Sequence, residues 1–141
     1  MVTITTWATA EDGTPIACET SGEGNALVLV HSAGADARQW ARVVPLLAPR
    51  FTVVAMDRRG RRQSGQAQPG HSLQVEYGDI ASVVTSIPGP VHLLGHSSGA
   101  RFALHAAPRA PKLASLILYE PPAPENFSDA ALESLDRLGA L

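Results

Sequence analysis

The sequence predicts an α/β protein whose mostly parallel sheet is preceded by an antiparallel hairpin. Short continuous apolar runs, which suit strands buried in a parallel sheet, alternate with amphipathic segments of helical spacing. The N-terminal segment instead alternates apolar and polar residues around an Asp12-Gly13 turn, as antiparallel strands do. Buried strands that alternate with helices are joined by right-handed crossovers, so the sheet behind the hairpin is expected to be parallel.

The composition is that of a globular protein with a substantial core. The chain has 141 residues, which is typical of one domain, with 45% hydrophobic and 17% charged residues. The net charge of −2 gives no general attraction to nucleic acid or to a membrane surface, and neither is expected as a partner. The single cysteine, Cys18, excludes an internal disulfide framework, and no leader or membrane-length apolar run is evident. A cytoplasmic location is therefore expected.

The first half of the chain is predicted to contain the hairpin, two buried strands and one helix. The helix covers residues 37–47, where apolar residues including Trp40 share one side, and Pro49 ends it. A loop of small residues separates this helix from the strand before it. The predicted strands are residues 2–8, 15–20, 26–30 and 51–56.

The second half continues the alternation of helices and strands. Apolar residues recur at helical spacing between Leu73 and Ile87, and Ser72 is predicted to cap this helix. A strand at 91–94, a helix at 100–107 and a strand at 113–119 follow. Ser128 is predicted to begin a last short helix, which has three leucines on one face: Leu132, Leu135 and Leu138.

A G-x-S-x-G pentapeptide lies between the strand at 91–94 and the helix that follows it. It reads Gly95-His96-Ser97-Ser98-Gly99. A strand that turns into a helix within one or two residues leaves no room for flanking side chains, and Gly95 and Gly99 supply that room. Ser97 is therefore predicted to sit at the apex of a nucleophile elbow, in strained backbone geometry and with its hydroxyl exposed.

The order of motifs resembles the N-terminal half of the α/β-hydrolase fold, from its first to its sixth strand. The segments that carry the resemblance are the hairpin, VLVHSAGAD, FTVVAMDRRGRRQSG, VHLLGHSSGA and LILYEPP, and together they cover essentially the whole chain. The resemblance implies a mostly parallel sheet of the α/β-hydrolase type. It also implies one partial domain over residues 1–141, with a core to about residue 122 and the start of a lid region at 123–141.

The resemblance also implies roles for residues around the elbow. Ser97 corresponds to the nucleophile, and the backbone N–H groups of Ser98 and Ala33 correspond to the oxyanion donors. Ala33 belongs to an H-G-x type motif that reads His31-Ser32-Ala33 here, with Ser32 in place of the usual glycine. His31 is expected to be structural and to hold the loop through its ring nitrogens.

A second loop, DRRGRRQSG, resembles the D-x-R-G-x-G-x-S loop of the same family. Its arginines carry no interleaved aromatic residues, so an ordered structural loop is favoured over a nucleic-acid or phosphate patch. Arg62 stands where the family has glycine, and some backbone strain is expected there.

The family's triad acid and base normally follow the seventh and eighth strands, which this sequence does not contain. Glu120 closes the sixth strand at the same sheet edge as Ser97. It is a candidate orienting carboxylate, with a pocket or loop-anchoring role as the alternative. None of the five histidines occupies the base position. His96 is next to Ser97, but neighbouring side chains on such a turn point apart, so His96 is not expected to be the base.

The expected function is that of a serine hydrolase acting on esters or related small acyl substrates. A serine nucleophile argues against dehalogenase or epoxide-hydrolase chemistry, which needs a carboxylate at this position. Without a base histidine the chain is expected to be a truncated hydrolase, weak or inactive alone. The alternatives are a catalytically silent binding or scaffold module, and an assembly in which a partner chain supplies the histidine.

Two expectations concern partners and cofactors. The sixth strand would leave an apolar edge exposed, which predicts a homodimer through that edge. No clustering of metal ligands and no phosphate-binding glycine loop is present in the sequence, so no metal or cofactor is expected.

Overall fold

The computed structural model describes residues 1–123, 128–130 and 133. Within them lies a six-stranded mixed sheet of order β1-β2-β4-β3-β5-β6. β1 and β2 form the antiparallel hairpin and β2 pairs antiparallel with β4, whereas the remaining neighbours are parallel. This confirms the predicted fold class. The strands are β1 Thr3–Thr9, β2 Pro15–Ser21, β3 Asn25–Val30, β4 Phe51–Met56, β5 Val91–His96 and β6 Leu113–Tyr119.

Within the described part of the chain, three α-helices and two 3₁₀ turns connect the strands. The helices are α1 Val44–Leu47, α2 Leu73–Ser86 and α3 Ser98–Ala106. One 3₁₀ turn, Ala37–Trp40, precedes α1, and the other, Ala107–Arg109, follows α3. Ser72 takes the N-cap position of α2 but makes no capping hydrogen bond with its side chain, contrary to the prediction.

The prediction of one helix over residues 37–47 was wrong. The segment is divided into the 3₁₀ turn and α1, with Pro45 in the first turn of α1. Proline has no N–H to bond to the carbonyl of Ala41, and its ring crowds that carbonyl, so a regular helix cannot run through this position. Pro45 is tolerated where it stands because the first amides of a helix have no partner within it.

Helices cover both faces of the sheet and bury two apolar cores. α2 and α3 pack on one face, where Val28, Val30 and Leu93 point toward them. The 3₁₀ turn before α1 packs on the other face against Leu27 and Leu29. Successive residues of a strand point to opposite faces, so the continuous apolar run of β3 serves both cores. In β5 the residues facing the second core are only half-buried, so the prediction that this strand is buried on both faces holds for one face.

The parallel strands end together at one edge of the sheet, here called the carboxyl edge. Val30 pairs with Met56 on one side and with Gly95 on the other, and His96 pairs with Tyr119. The loops that follow β3, β4, β5 and β6 therefore meet at this edge, where open α/β sheets bind ligands.

β6 is an edge strand among the described residues. Ile117 and Tyr119 are 43% and 56% exposed, as the sequence predicted for this strand. The predicted helix after Ser128, including Leu132, Leu135 and Leu138, falls outside the described residues except for positions 128–130 and 133, so the predicted lid region stays a prediction.

Candidate active site

Ser97 lies on a sharp turn between β5 and α3. Its φ of 53° and ψ of −121° are conformations that residues with a side chain rarely adopt. The Ser97 N–H donates to the carbonyl of Tyr119 at 2.9 Å, which fixes the turn to the end of β6. Its side chain makes no capping hydrogen bond to α3, so the hydroxyl is left available at the carboxyl edge.

The two glycines of the pentapeptide are required by close backbone contacts. A Cβ on Gly95 would overlap the backbone of Gly99, and a Cβ on Gly99 would overlap the carbonyl oxygens of Val30 and His31. Neither glycine needs a positive φ, so their role is to allow close approach. The two glycines thus supply the room that the strand–turn–helix pattern predicted, and the elbow packs directly against the end of β3.

Two backbone N–H groups near Ser97 correspond to the predicted oxyanion donors. Ser98 is the first residue of α3, where amides have no partner within the helix and the helix dipole favours negative charge. Ala33 is exposed in the loop of residues 31–36, here called the β3 loop, and its N–H meets no acceptor among the described residues. The geometry is compatible with both assignments, and both remain predictions.

His31 is fully buried at the base of the β3 loop. Its Nδ1 lies 2.8 Å from the carbonyl oxygen of Ser32, and its Nε2 accepts a hydrogen bond from the N–H of Arg58 at 3.0 Å. Burial lowers the pKa of His31 below its usual value, so the neutral imidazole is favoured. With both ring nitrogens occupied, His31 ties the β3 loop to the loop after β4.

Gln39 connects the β3 loop to the elbow strand, and the sequence analysis did not identify it. Its side-chain oxygen accepts hydrogen bonds from the Ser32 N–H at 3.1 Å and from the Ser32 hydroxyl at 2.7 Å. Its Nε2 lies 3.1 Å from Nδ1 of His96. No sequence pattern indicated this role, because the partners of Gln39 lie on other elements.

Glu120 meets His96 and not Ser97. Its Oε2 lies 3.3 Å from Nε2 of His96, its side chain is 69% exposed, and its φ is 49°. Both ring nitrogens of His96 are therefore occupied, by Gln39 and Glu120, which leaves none for the Ser97 hydroxyl. The structure places Glu120 at the predicted edge, but its role as an orienting acid remains untested.

The other histidines also have partners away from Ser97. Nδ1 of His92 lies 2.8 Å from the hydroxyl of Ser115, and Nε2 of His71 lies 3.1 Å from a carboxylate oxygen of Glu76. Nδ1 of His105 lies 2.8 Å from a carbonyl of its own helix. All five histidines are among the described residues, and none is hydrogen bonded to Ser97.

The loop after β4 is organised by internal ion pairs. Arg59 joins Asp79 on α2 and Asp12 in the hairpin, at 2.7 and 2.6 Å. Arg58 joins Glu76 at 2.7 Å, and Arg62 joins Glu19. The positive φ of Arg62, 38°, agrees with the backbone strain expected at this position. These contacts fit an ordered structural loop. They leave Arg58, Arg59 and Arg62 paired with acids of the same chain.

In residues 1–123, 128–130 and 133, no group of three or more histidine, cysteine or acidic side chains is arranged to hold a metal ion. In the same part of the chain, no helix has the length and apolar character needed to cross a bilayer.

Comparison with known proteins places these features in a family. Residues 27–141 match the sequence profile of the Alpha/beta hydrolase family. The chain is 38% identical over 109 residues to N-formylmaleamate deformylase of Pseudomonas putida, covering 72% of this chain and 39% of the relative. It is 40% identical over 101 residues to pimeloyl-[acyl-carrier protein] methyl ester esterase of Methylococcus capsulatus, covering 71% and 38%.

A solved structure supports the same placement. The crystal structure of an alpha/beta hydrolase from Sphaerobacter thermophilus superposes with a TM-score of 0.77 and 38% sequence identity, covering 83% of this chain and 45% of that one. The chain matches just under two fifths of the length of both curated relatives.

Proposed function

Because the chain belongs to the Alpha/beta hydrolase family, we propose that it acts as a serine hydrolase on esters or related acyl substrates, with Ser97 as the nucleophile. The observation that carries this proposal is the backbone of Ser97, whose φ of 53° and ψ of −121° present a serine hydroxyl between a strand end and a helix start. Strain of this kind is concentrated at functional sites.

The proposed reaction begins with attack of the Ser97 Oγ on the acyl carbon. Oγ forms a bond to that carbon and gives its proton to a base, while the carbonyl oxygen becomes an oxyanion that the N–H groups of Ala33 and Ser98 stabilise. The intermediate expels the alcohol or amine, which takes up the proton and leaves an acyl-serine. Water then attacks the acyl-serine, which releases the acid and restores the serine hydroxyl.

The base of this reaction is proposed to come from outside the described residues, because no histidine among them contacts Ser97. Oxyanion donors and substrate binding alone retain roughly 10³-fold acceleration over water in a serine hydrolase that lacks its triad. We therefore expect the 141-residue chain to react with activated esters and to turn over slowly or not at all.

The names of the two relatives described above support acyl chemistry as the substrate class, whereas other relatives are named as a fluoroacetate dehalogenase and a soluble epoxide hydrolase. Of those two, one is a deformylase and the other a methyl ester esterase, so both remove a group from an acyl carbon. A small acyl compound is accordingly the proposed substrate. A cytoplasmic location is proposed with it, since the single cysteine of the sequence, Cys18, is a buried free thiol.

The second candidate function is a catalytically silent binding or scaffold module. It is favoured by the occupation of both His96 ring nitrogens, which leaves Ser97 without a base among the described residues. A third arrangement is a complex in which a partner chain supplies the histidine. The exposed edge of β6 is the surface we propose for pairing with a second copy.

Pre-steady-state hydrolysis of p-nitrophenyl acetate separates these candidates. The proposal predicts a burst of p-nitrophenol that approaches one equivalent per chain and is absent from Ser97→Ala. Folded protein without a burst would contradict the proposal and favour the silent module. A turnover rate per chain that rises with protein concentration would favour the complex with a partner chain.

A further inference from the structure

The β3 loop departs from the family pattern at Ser32, and the structure shows what accompanies this departure. Ser32 is not among the residues with positive φ, so a side chain is accepted there without backbone strain. It nevertheless brings a hydroxyl that needs a partner. Gln39, in the 3₁₀ turn that follows the loop, accepts from both the hydroxyl and the N–H of Ser32.

These contacts fix the orientation of the Gln39 amide. Two donors converge on Oε1, so the side-chain nitrogen must face His96, where Nε2 of Gln39 lies 3.1 Å from Nδ1. The amide nitrogen can only donate, so Nδ1 of His96 must accept, and the imidazole proton then resides on Nε2. That proton points to Glu120 at 3.3 Å.

The result is a directional chain of hydrogen bonds along the carboxyl edge. It runs from Ser32 through Gln39 and His96 to Glu120, and thus joins the β3 loop, the 3₁₀ turn, β5 and the end of β6. His96 immediately precedes Ser97, so the chain links the loop that carries one predicted oxyanion donor to the strand that carries the nucleophile.

We propose that Gln39 is a positioning residue that holds the β3 loop against the elbow and sets the tautomer of His96. By occupying the Ser32 N–H, Gln39 removes that group as an oxyanion donor and leaves the N–H of Ala33 as the free donor at the start of the loop. The part of this proposal that concerns the oxyanion rests on the proposed function. The part that concerns the loop and the tautomer does not.

Two variants separate the two contacts of Gln39. Gln39→Met keeps the approximate length of the side chain and removes both the acceptor and the donor. Gln39→Glu keeps acceptor oxygens for Ser32 but presents no donor to Nδ1 of His96. Gln68→Met is the matched control, since Gln68 is an exposed glutamine in the loop before α2 and its side chain forms no hydrogen bond among the described residues.

The test is ¹⁵N NMR of the full chain at about pH 8.5, above the ordinary imidazole range. The parent protein is expected to show His96 with a protonated Nε2 and an unprotonated Nδ1. Gln39→Met should make the Ser32 amide exchange with solvent about fivefold faster, as loss of one hydrogen bond predicts. Gln39→Glu should keep the Ser32 amide protected while Nδ1 of His96 becomes protonated, because a carboxylate can only accept, and Nε2 can keep its proton toward Glu120.

Contrary results are equally specific. A parent His96 protonated on Nδ1, or a Ser32 amide as well protected in Gln39→Met as in Gln68→Met, would overturn the proposal. If Gln39→Met does not fold, Gln39→Glu decides the outcome, because in that variant the Ser32 amide should stay protected while Nδ1 of His96 becomes protonated. A folded Gln39→Glu protein in which Nδ1 of His96 stays unprotonated also overturns it.

A second readout connects the hydrogen bonds to the reaction. Labelling of Ser97 by a fluorophosphonate should be about tenfold slower in Gln39→Met than in the parent and unchanged in Gln68→Met, because a displaced oxyanion donor stabilises less charge. If the parent shows no labelling, the proposed function fails for this chain, while the NMR measurements still decide the role of Gln39. Equal labelling of parent and Gln39→Met would overturn the oxyanion part alone.

Discussion

Ser97 adopts a backbone conformation that costs about 1–3 kcal/mol in an ordinary residue. Interactions around it offset this cost, namely the hydrogen bond from its N–H to Tyr119 and the close packing of Gly99 against Val30 and His31. The elbow therefore depends on neighbours from β3 and β6 as much as on the pentapeptide itself. A substitution that disturbs this packing should lower the free energy of unfolding more readily than it lowers the reactivity of Ser97.

Gly99→Ala is expected to destabilise the protein by about 1–3 kcal/mol. Its Cβ would overlap backbone carbonyls of β3 and the β3 loop, which cannot move independently of the sheet. Urea denaturation followed by circular dichroism measures the loss. Gly78→Ala is the matched control, because its Cβ would meet only the guanidinium of Arg109 at 3.5 Å. Alanine in the interior of α2 should raise the free energy of unfolding by about 0.5–1 kcal/mol. A decrease in the free energy of unfolding of both variants would contradict this account.

The buried imidazole of His31 predicts a loss of stability in mild acid. Its pKa is lowered in the folded state, so the unfolded chain binds more protons below the unfolded value of 6.5. The free energy of unfolding should therefore fall as pH decreases from about 7.5 to 5.5, by at most ~1.4 kcal/mol per pH unit from this group.

The comparison for this prediction is between two variants. His31→Gln should show a smaller decrease in the free energy of unfolding over that pH range than the parent does. Gln68→Met, which alters an exposed residue on the loop before α2 and no ionisable group, should keep the decrease of the parent. An unchanged decrease in His31→Gln would contradict the assignment.

The sequence was informative about residues whose role follows from local geometry. The sequence predicted the roles of the elbow residues Ser97, Gly95 and Gly99, because a nucleophile elbow needs a serine and two glycines at fixed spacing between a strand and a helix. Gln39 could not be placed, since its function depends on Ser32 and His96, which lie on two other elements. Neither composition nor periodicity carries that information.

At the scale of elements, one buried arginine in the loop after β4 links the N-terminal hairpin to α2. The side chain of Arg59 is 1% exposed and lies between Asp12 in the hairpin turn and Asp79 on α2. It also donates to the hydroxyl of Thr14 at 2.9 Å. The Arg59 side chain holds the pKa of Asp12 well below its usual range, so that carboxylate remains charged in the folded state.

Asp79→Ala is expected to lower the free energy of unfolding by about 2–4 kcal/mol. Removing one partner of a buried ion pair leaves the other charge without compensation, and Arg59 would keep only the more exposed Asp12. Chemical denaturation tests this. The control is Arg38→Ala, which removes a solvent-exposed pair with Asp36 and should cause no comparable loss. An equal decrease in the free energy of unfolding of the two variants would contradict the claim that burial makes the Arg59–Asp79 pair the more important one.

Element boundaries could be predicted where apolar runs and turn residues agree. β4 and β6 have the predicted limits because each is a largely apolar run bounded by charged residues. The segment 37–47 could not be predicted correctly from spacing alone, since apolar residues at helical intervals do not reveal that Pro45 interrupts the backbone hydrogen bonds.

At the scale of the whole molecule, the described sheet has one edge that favours association. β6 presents unpaired backbone groups with Ile117 43% exposed beside them, an arrangement that promotes strand pairing between chains. The family, the fold and the position of Ser97 followed from the sequence. The substrate and the source of a base do not follow from it, since neither is encoded in the segments that carry the resemblance.

Self-association through β6 is expected to depend on protein concentration. Ile117→Lys should weaken it by about tenfold or more, because a charged side chain on an edge strand opposes pairing. Sedimentation equilibrium over a range of concentrations measures the change. Leu46→Lys, which alters a residue that is 77% exposed on α1, should associate like the parent. A parent that remains monomeric, or equal effects of the two variants, would contradict pairing through β6.

The most direct test of the central claim is covalent labelling of the folded chain with a fluorophosphonate probe, mapped by mass spectrometry. The probe reacts with a nucleophilic serine without requiring a known substrate. Because no histidine among the described residues contacts Ser97, we predict slow labelling at Ser97 and at no other serine, with complete loss in Ser97→Ala. Folded protein that remains unlabelled, or is labelled equally well in Ser97→Ala, would contradict the assignment of Ser97 as a nucleophile in this chain.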